Sequence, residues 1–256
     1  MNKSFVNLDR YPIDDLTSPV AQALVGEGRA ALSGEGSFML PQFVAPSTLS
    51  CMQVEASQLS PIGFKCQEMR NAIPAGKCRE TRASLACVGM DQMPADSAIR
   101  QLFLWEPLTR FVGAVLDRMP YYRSADPIAS CMLTVLDVGD ELGWHFDAND
   151  GIVTLMLQSA GRGGAFEYVS EIRDSREFES SVDQVLVGNG GPVCQSDYRP
   201  GTLALFNGYQ AFHRVSPVTR SPARLILIFS YDSKPDQYFS DEVRQRFFGR
   251  IEPLDN

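Results

Sequence analysis

In Gly143-Trp144-His145-Phe146-Asp147 a histidine stands two residues before an aspartate, in a chain that has only two histidines. On an extended strand, residues i and i+2 project to the same face. The imidazole of His145 and the carboxylate of Asp147 can therefore aim at one ion while Phe146 points away. Two histidines with one carboxylate make the facial triad that holds iron(II) and leaves three coordination positions open. Open positions are what an oxygenase requires. The second histidine, His213, lies in TLALFNGYQAFHRVSPV, on another predicted strand just after a turn, where a barrel can return it to the first. Taken alone, His145 reads more readily as a half-buried histidine hydrogen-bonded to Asp147, since HxD arises often by chance, and His213 has the alternative of a strand-end histidine in solvent. Their combination favours the metal.

Arg224 opens the strand RLILIFSYD. A guanidinium buried in so apolar a run is costly unless paired, and a carboxylate ligand gripped by its planar fork would satisfy it. Arg220 competes for this role, and a solvent-facing arginine at a strand end is the plainer alternative.

The elements that must position these residues fall into two textures. Residues 1–125 read as mainly helical support. Ser18-Pro19 opens SPVAQALVGEGRAALSGEG, with serine as N-cap, proline at the first helical position and glycines to close. A second helix starts near Pro46-Ser47 and carries Leu49, Met52, Val54 and Leu59. A third starts at Ser97, in SAIRQLFLWEPLTRFVGAVLD, bent or broken before Pro107. From Ala129 short apolar runs alternate with turn residues, the sign of a sandwich or barrel: ASCMLTVLDVG, GIVTLMLQ, GGAFEYV, GTLALFNG, FHRVSPV and RLILIFSYD. An insert at 171–200 is partly helical and then loop. Ser240 caps a short closing helix with acids in its first turn. GRGG at Gly161 to Gly164 is a tight turn, too short for a phosphate loop. The expectation is a single domain, 1–256, with its catalytic core at 126–232 and the C-terminal helix in 233–256.

Hydrophobic residues at 44% and charged residues at 21% are ordinary for a globular domain and exclude disordered or collagen-like chains. The net charge of -8, without a basic block, argues against nucleic acid or an anionic membrane surface as partner and leaves a small molecule or peptide. Cys51, Cys66, Cys78, Cys87, Cys131 and Cys194 form no CxxC pattern, and the N-terminus has no apolar stretch resembling a signal peptide. Reduced thiols and a cytoplasmic location are expected. No apolar run nears the roughly 20 residues that span a bilayer.

HxD, a distal histidine within HRVSPV and an arginine soon after, in that order, resemble the iron(II)/2-oxoglutarate-dependent dioxygenases, whose fold is a double-stranded β-helix, or jelly roll. The resemblance covers Asp126 to Asp232. It implies an α+β fold, a cupin-like jelly-roll core with a helical N-terminal half and a short C-terminal helix. It also implies that His145, Asp147 and His213 bind iron and that Arg224 pairs with the distal carboxylate of 2-oxoglutarate. DPIASCMLTVLDVGDELGWHFD, VTLMLQSAGRGGAFEYVSEIRD and GTLALFNGYQAFHRVSPVTRSPARLILIFSYDSKP resemble, more narrowly, the free-amino-acid halogenases and hydroxylases related to the lysine radical halogenases. In that branch the arginine sits at the spacing found here. In its halogenases a glycine replaces the aspartate and chloride takes the vacant iron position, so Asp147 implies hydroxylation. The reaction so implied consumes 2-oxoglutarate and O2, releases succinate and CO2, and hydroxylates an unactivated C–H bond, with ascorbate as reductant in vitro.

A zwitterionic amino acid needs a cation for its carboxylate. Arg79 and Arg82, in GKCRETRASL, are candidates, and the branch uses an arginine at roughly the position of Arg82; two solvated loop arginines are the alternative. Asp150 can read an ammonium group or belong to an Asn149-Asp150-Gly151 turn. Trp144 walls the pocket or simply packs. Phe247 and Phe248 close the site or form the apolar face of a helix. Asp126 and Asp150 are the acids nearest to hand for a basic substrate such as lysine, and a neutral one stays open. Competing functions are a prolyl-hydroxylase-like oxygenase of a peptide, protein or carrier-bound residue, desaturation or ring formation by the same chemistry, and a non-catalytic metal-binding jelly roll.

Overall fold

The computed structural model describes residues 5–73, 79–147, 152–169, 172–173 and 177–254. Four helices precede the core strands: α1 (Pro19–Gly34), α2 (Pro46–Leu59), α3 (Ala98–Leu104) and α4 (Glu106–Val115). Their ends follow local chemistry. The Ser18 hydroxyl accepts from the Ala21 amide, and the Ser97 hydroxyl from Ile99 and Arg100, satisfying amide groups that a helix leaves unpaired. The break before Pro107 falls at Trp105, whose extended backbone (φ -71°, ψ 111°) separates α3 from α4. On α2, Met52 and Leu59 are buried as the apolar spacing suggests, but Val54 turns outward and is 58% exposed.

The helical reading of residues 1–125 needs one addition. Strands β1 (Ser37–Leu40), β2 (Phe64–Asn71), β3 (Glu80–Val88) and the short β4 (Tyr122–Arg123) also lie there. The remaining strands are β5 (Cys131–Leu136), β6 (Glu141–His145), β7 (Ile152–Gln158), β8 (Arg162–Gly163), β9 (Phe166–Val169), β10 (Cys194–Gln195), β11 (Leu203–Phe206), β12 (Phe212–Val215), β13 (Val218–Arg220) and β14 (Arg224–Asp232). Helix α5 (Phe178–Leu186) occupies the insert, and α6 (Asp241–Phe248) closes the chain, capped by Ser240 and ended by Gly249 at φ 69°.

Among the described residues, twelve strands form one antiparallel sheet in the order β1-β11-β7-β14-β5-β3-β6-β12-β9-β10, with β2 beside β3 and β4 beside β14. The sheet curls at β3. Ala86 to Val88 pair with β5, whereas Ala83 and Ser84 pair with β6, so one strand passes its neighbour from one wall to the other. This is the expected jelly roll with helices, an α+β fold.

Helices α1 to α4 cover the outer face of the first wall, where Phe103, Phe111 and Phe229 are fully buried. Complete burial of such a side chain contributes about 1.5–3 kcal/mol. Strand β14 is covered on both faces, which accounts for its almost unbroken apolar run. Helix α5 covers the second wall through Val182 and Val185. In the GRGG turn Gly163 has φ 76°, and a side chain there would meet the Pro217 carbonyl oxygen at 2.0 Å.

Candidate metal centre

The second wall brings the two histidines together. His213 on β12 is the direct partner of His145 on β6, and two residues later Val215 pairs with Leu142, so β6 carries an extra residue between them. A bulge of this kind re-aims side chains: Leu142 and His145 end on the same face, and Trp144 turns to the other. Gly143 in the bulge packs against the neighbouring strand, where a side chain would lie 2.7 Å from the Arg82 carbonyl oxygen.

His145 Nδ1 lies 2.8 Å from the Gly143 carbonyl oxygen and His213 Nδ1 lies 3.0 Å from that of Ala211. A carbonyl only accepts, so each Nδ1 carries the ring proton and each Nε2 keeps a free lone pair. Both Nε2 atoms face Asp147 Oδ1, at 3.6 Å from His145 and 3.5 Å from His213. Three lone-pair donors thus converge without a proton between them, and all lie within 4.8 Å of one another. That spacing suits an ion about 2 Å from each. Burial, then His213 and Arg70, lower the His145 pKa to about 3, so the ring stays neutral and able to ligate. Burial alone would raise the Asp147 carboxyl, but His213 and His145 outweigh it and hold the group ionised, below the usual carboxylate range.

The aspartate is held from behind by Asn207 to Ala211, the turn before β12. Its amide donates to the Gly208 carbonyl at 2.9 Å. A Cβ on Gly208 would lie 1.8 Å from Asp147 Oδ2 and 2.6 Å from its carboxyl carbon, so the carboxylate occupies the space a side chain would fill.

Arg224 is 3% exposed, its Nε is buried without a partner, and burial lowers its pKa to about 10. It lines a cavity of about 200 Å³ with Met156, Phe166, Gln195 and Tyr198. The Tyr198 hydroxyl bonds Thr154, and the Phe166 ring centroid lies 5.6 Å from that of His213. A cavity beside the triad, with an unsatisfied guanidinium at its wall, fits a small dicarboxylate. Arg220, by contrast, is exposed and reaches the Gly161 carbonyl at 3.3 Å. A larger hollow of about 290 Å³ beside Tyr122 and Pro235 contains none of the triad, and its Arg123 is already paired with Glu106 and Thr109.

The other sequence-derived candidates are placed elsewhere. Arg82 is exposed and engaged by the Gly139 carbonyl at 2.8 Å and by Glu141 at 3.4 Å; Arg79 is exposed. Trp144 stacks on Phe212 at 5.2 Å, under Arg214 and among the residues that α5 covers, on the face opposite His145. It is a packing residue. Phe248 is buried against Ile128 and Val215, with Phe247 partly buried beside it. Asp126 is fully committed, to the amides of Ile128, Ala129 and Phe239 and to Arg244. Asp150 lies outside the described residues.

The profile of the Halogenase D family (HalD) matches residues 20–248. The chain belongs to that family. Solved structures with a similar fold include a 2OG-Fe(II) oxygenase-family oxidoreductase from Burkholderia pseudomallei, at 18% identity and TM-score 0.54, covering 83% of this chain and 92% of that one. The α-ketoglutarate-dependent epimerase SnoN of nogalamycin biosynthesis matches at 14% and 0.59, covering 82% and 83%. A Pseudomonas putida prolyl-4-hydroxylase matches at 17% and 0.52, covering 81% and 99%. No curated protein matches the chain. At these identities the structures speak for the fold. Family and fold together place the Halogenase D chain in the iron(II)/2-oxoglutarate oxygenase superfamily.

Three residues of this site have no counterpart in the sequence reading. Gly208 is defined only by what it packs against, and Tyr198 arrives from the insert through the loop DYRPG. Arg70 sits on β2, a strand whose many polar residues hide it. The alternation of outward Lys65, Gln67 and Met69 with inward-turned Cys66, Glu68 and Arg70 was the available signal.

Proposed function

We propose that the chain is an iron(II)- and 2-oxoglutarate-dependent hydroxylase of a free amino acid. The convergence of two unprotonated Nε2 atoms and one carboxylate on a single point carries this reading. His145, Asp147 and His213 would hold the iron, and Arg224, with Tyr198 nearby, the distal carboxylate of 2-oxoglutarate. The bound metal and its co-substrate supply the activation of O2 that breaks an unactivated C–H bond.

The chain's own residues do the rest. The Gly143 and Ala211 carbonyls fix the tautomer and direction of the two imidazoles, as outer partners of metal ligands commonly do. Gly208 leaves room for the aspartate. Phe166 and Phe206, whose ring centroids lie 5.6 and 5.1 Å from that of His213, keep water from that side of the site.

Membership of a family named for halogenation raises halogenation as a second outcome. Asp147 speaks for hydroxylation, because the coordination position that a glycine would free for chloride is filled by a carboxylate for which Gly208 makes space. Prolyl hydroxylases among the structural neighbours make a peptide or protein substrate the competing class.

The test is succinate formation under air with iron(II), ascorbate and 2-oxoglutarate across a panel of free amino acids, with mass spectrometry of each mixture. Turnover coupled to a product heavier by one oxygen, with one or a few amino acids, supports the reading. Slow, equal succinate in every well with no modified amino acid sinks it in favour of peptides or carrier-bound residues. A cytoplasmic setting, with reduced cysteines, completes the proposal.

A further inference from the structure

We infer that Arg173 is a positioning residue of the metal centre, tying the strand end that carries His145 and Asp147 to the turn that leads into His213. The inference rests on the metal-centre reading above. The guanidinium carbon of Arg173 lies 3.8 Å from the ring centroid of Tyr209 and 4.7 Å from that of Phe146. Phe146 stands between two of the proposed ligands, His145 and Asp147, and Tyr209 follows Gly208 in the turn Asn207 to Ala211. That turn already bears on the site, since the Gly208 carbonyl accepts from the Asp147 amide and the Ala211 carbonyl orients the His213 ring. One guanidinium thus spans the two segments that hold all three ligands.

The two ring contacts differ in what else supports them. Phe146 is buried and also meets Phe212 at 4.9 Å and Phe178 of α5 at 5.7 Å. Tyr209 is 40% exposed and makes no other ring contact among the described residues. Arg173 is therefore the brace of the turn, and Phe146 its anchor. Its Nε is buried and meets no hydrogen-bond acceptor among the described residues, so the rings set its direction. A guanidinium is flat and can stack on ring faces, which a lysine ammonium cannot do.

Arg173 comes from the insert at 171–200, and the insert as a whole backs the ligand strands. Its Ile172, Phe178, Val182 and Val185 pack with Trp144, Phe146 and Phe212, behind β6 and β12. Alternation along those strands sets these rings on the face opposite His145 and His213. The insert is a back plate for the site, and Arg173 extends it around the edge to the turn. Metal–ligand distances tolerate only about 0.2 Å, and loss of an outer partner commonly lowers metal affinity by about ten- to a hundredfold.

The experiment is anaerobic calorimetric titration of the full chain with iron(II), and with cobalt(II), whose visible absorption reports the ligand geometry, beside thermal melts of the metal-free protein. Arg173→Met, which keeps the length of the side chain but loses its charge and plane, is expected to weaken metal binding about tenfold and to alter the cobalt spectrum. Tyr209→Leu should do the same, and Tyr209→Phe, which keeps the ring, should match wild type. Added to Arg173→Met, Tyr209→Leu should cost nothing further, because the contact is already gone. Met52→Ala empties a fully buried position on α2 and should lower the melting temperature with metal affinity unchanged. Arg173→Lys, a charge without the plane, should resemble the methionine variant and replaces it if that variant fails to fold.

Wild-type affinity with an unaltered cobalt spectrum in Arg173→Met overturns the assignment. So does multiplication of the two losses in the double variant, or an equal loss of affinity in Met52→Ala. If the wild-type protein binds neither metal, the metal-centre reading fails, and the role of Arg173 fails with it.

Discussion

Gly208→Ala is the substitution whose effect the structure specifies most closely. The alanine Cβ would begin 1.8 Å from Asp147 Oδ2, and side-chain carbons essentially never approach another heavy atom closer than 3.0 Å, so the carboxylate has to retreat by roughly 1 Å. Metal–ligand distances tolerate only about 0.2 Å, and a 1 Å misplacement at a reacting centre costs about a hundredfold in rate. The expected result is a loss of metal affinity of about ten- to a hundredfold, with kcat/KM down by about a hundredfold or more. The assay is anaerobic calorimetric titration with iron(II), or with cobalt(II) as an air-stable stand-in, alongside a thermal melt. Gly26→Ala is the control. It lies inside α1 with nothing within 4 Å, and should leave metal binding alone while adding about 0.5–1 kcal/mol of stability. Wild-type affinity and turnover in Gly208→Ala would refute the claim that this glycine makes the space for the third ligand.

Arg224→Met should weaken 2-oxoglutarate binding to metal-loaded protein by about a hundredfold without lowering ligand-free stability, because it removes an unpaired buried cation; melts with and without 2-oxoglutarate should show a shift for wild type only. The metal-free protein should lose stability as pH falls from about 6.5 toward 3. In that window the unfolded His145 takes up a proton that the folded one, with its pKa lowered to about 3, refuses; urea melts at stepped pH measure the slope, and a flat profile counts against it. Under native conditions an alkylating reagent should modify Cys51 and Cys194, which are exposed, and spare Cys66, Cys87 and Cys131, which burial both hides and keeps protonated. Peptide mass spectrometry reads this directly, and rapid labelling of Cys87 or Cys131 would contradict the packing described.

The triad was legible in the sequence because its chemistry is sparse. With two histidines in the chain, one in HxD and one beside a turn, few other metal sites can be built. The buried, unpartnered state of Arg224 was legible for a related reason, a charge at the head of an apolar strand. What escaped depended on through-space packing. The β2–β3 hairpin carries Lys65, Glu68, Arg70 and Arg82, and their polarity obscures an alternation that becomes clear only once the hairpin is seen beside β5 and β6. Arg82 was chosen by its place along the chain, yet β3 turns it outward and Arg70, its near neighbour across the hairpin, inward. Trp144 could be read as pocket wall or as packing, and the alternation of neighbouring residues along β6 sets it on the face opposite His145, against Phe212. Gly208 has no sequence signature, since its role is to be small where a carboxylate passes.

The central claim is that Asp147 completes an oxygenating centre within a family named for halogenation. The most direct test is the mass of the product formed from the responding amino acid in buffer containing excess chloride, with iron(II), 2-oxoglutarate and air. A product heavier by one oxygen, formed in step with succinate, is the predicted result. A product in which chlorine has replaced hydrogen would contradict it.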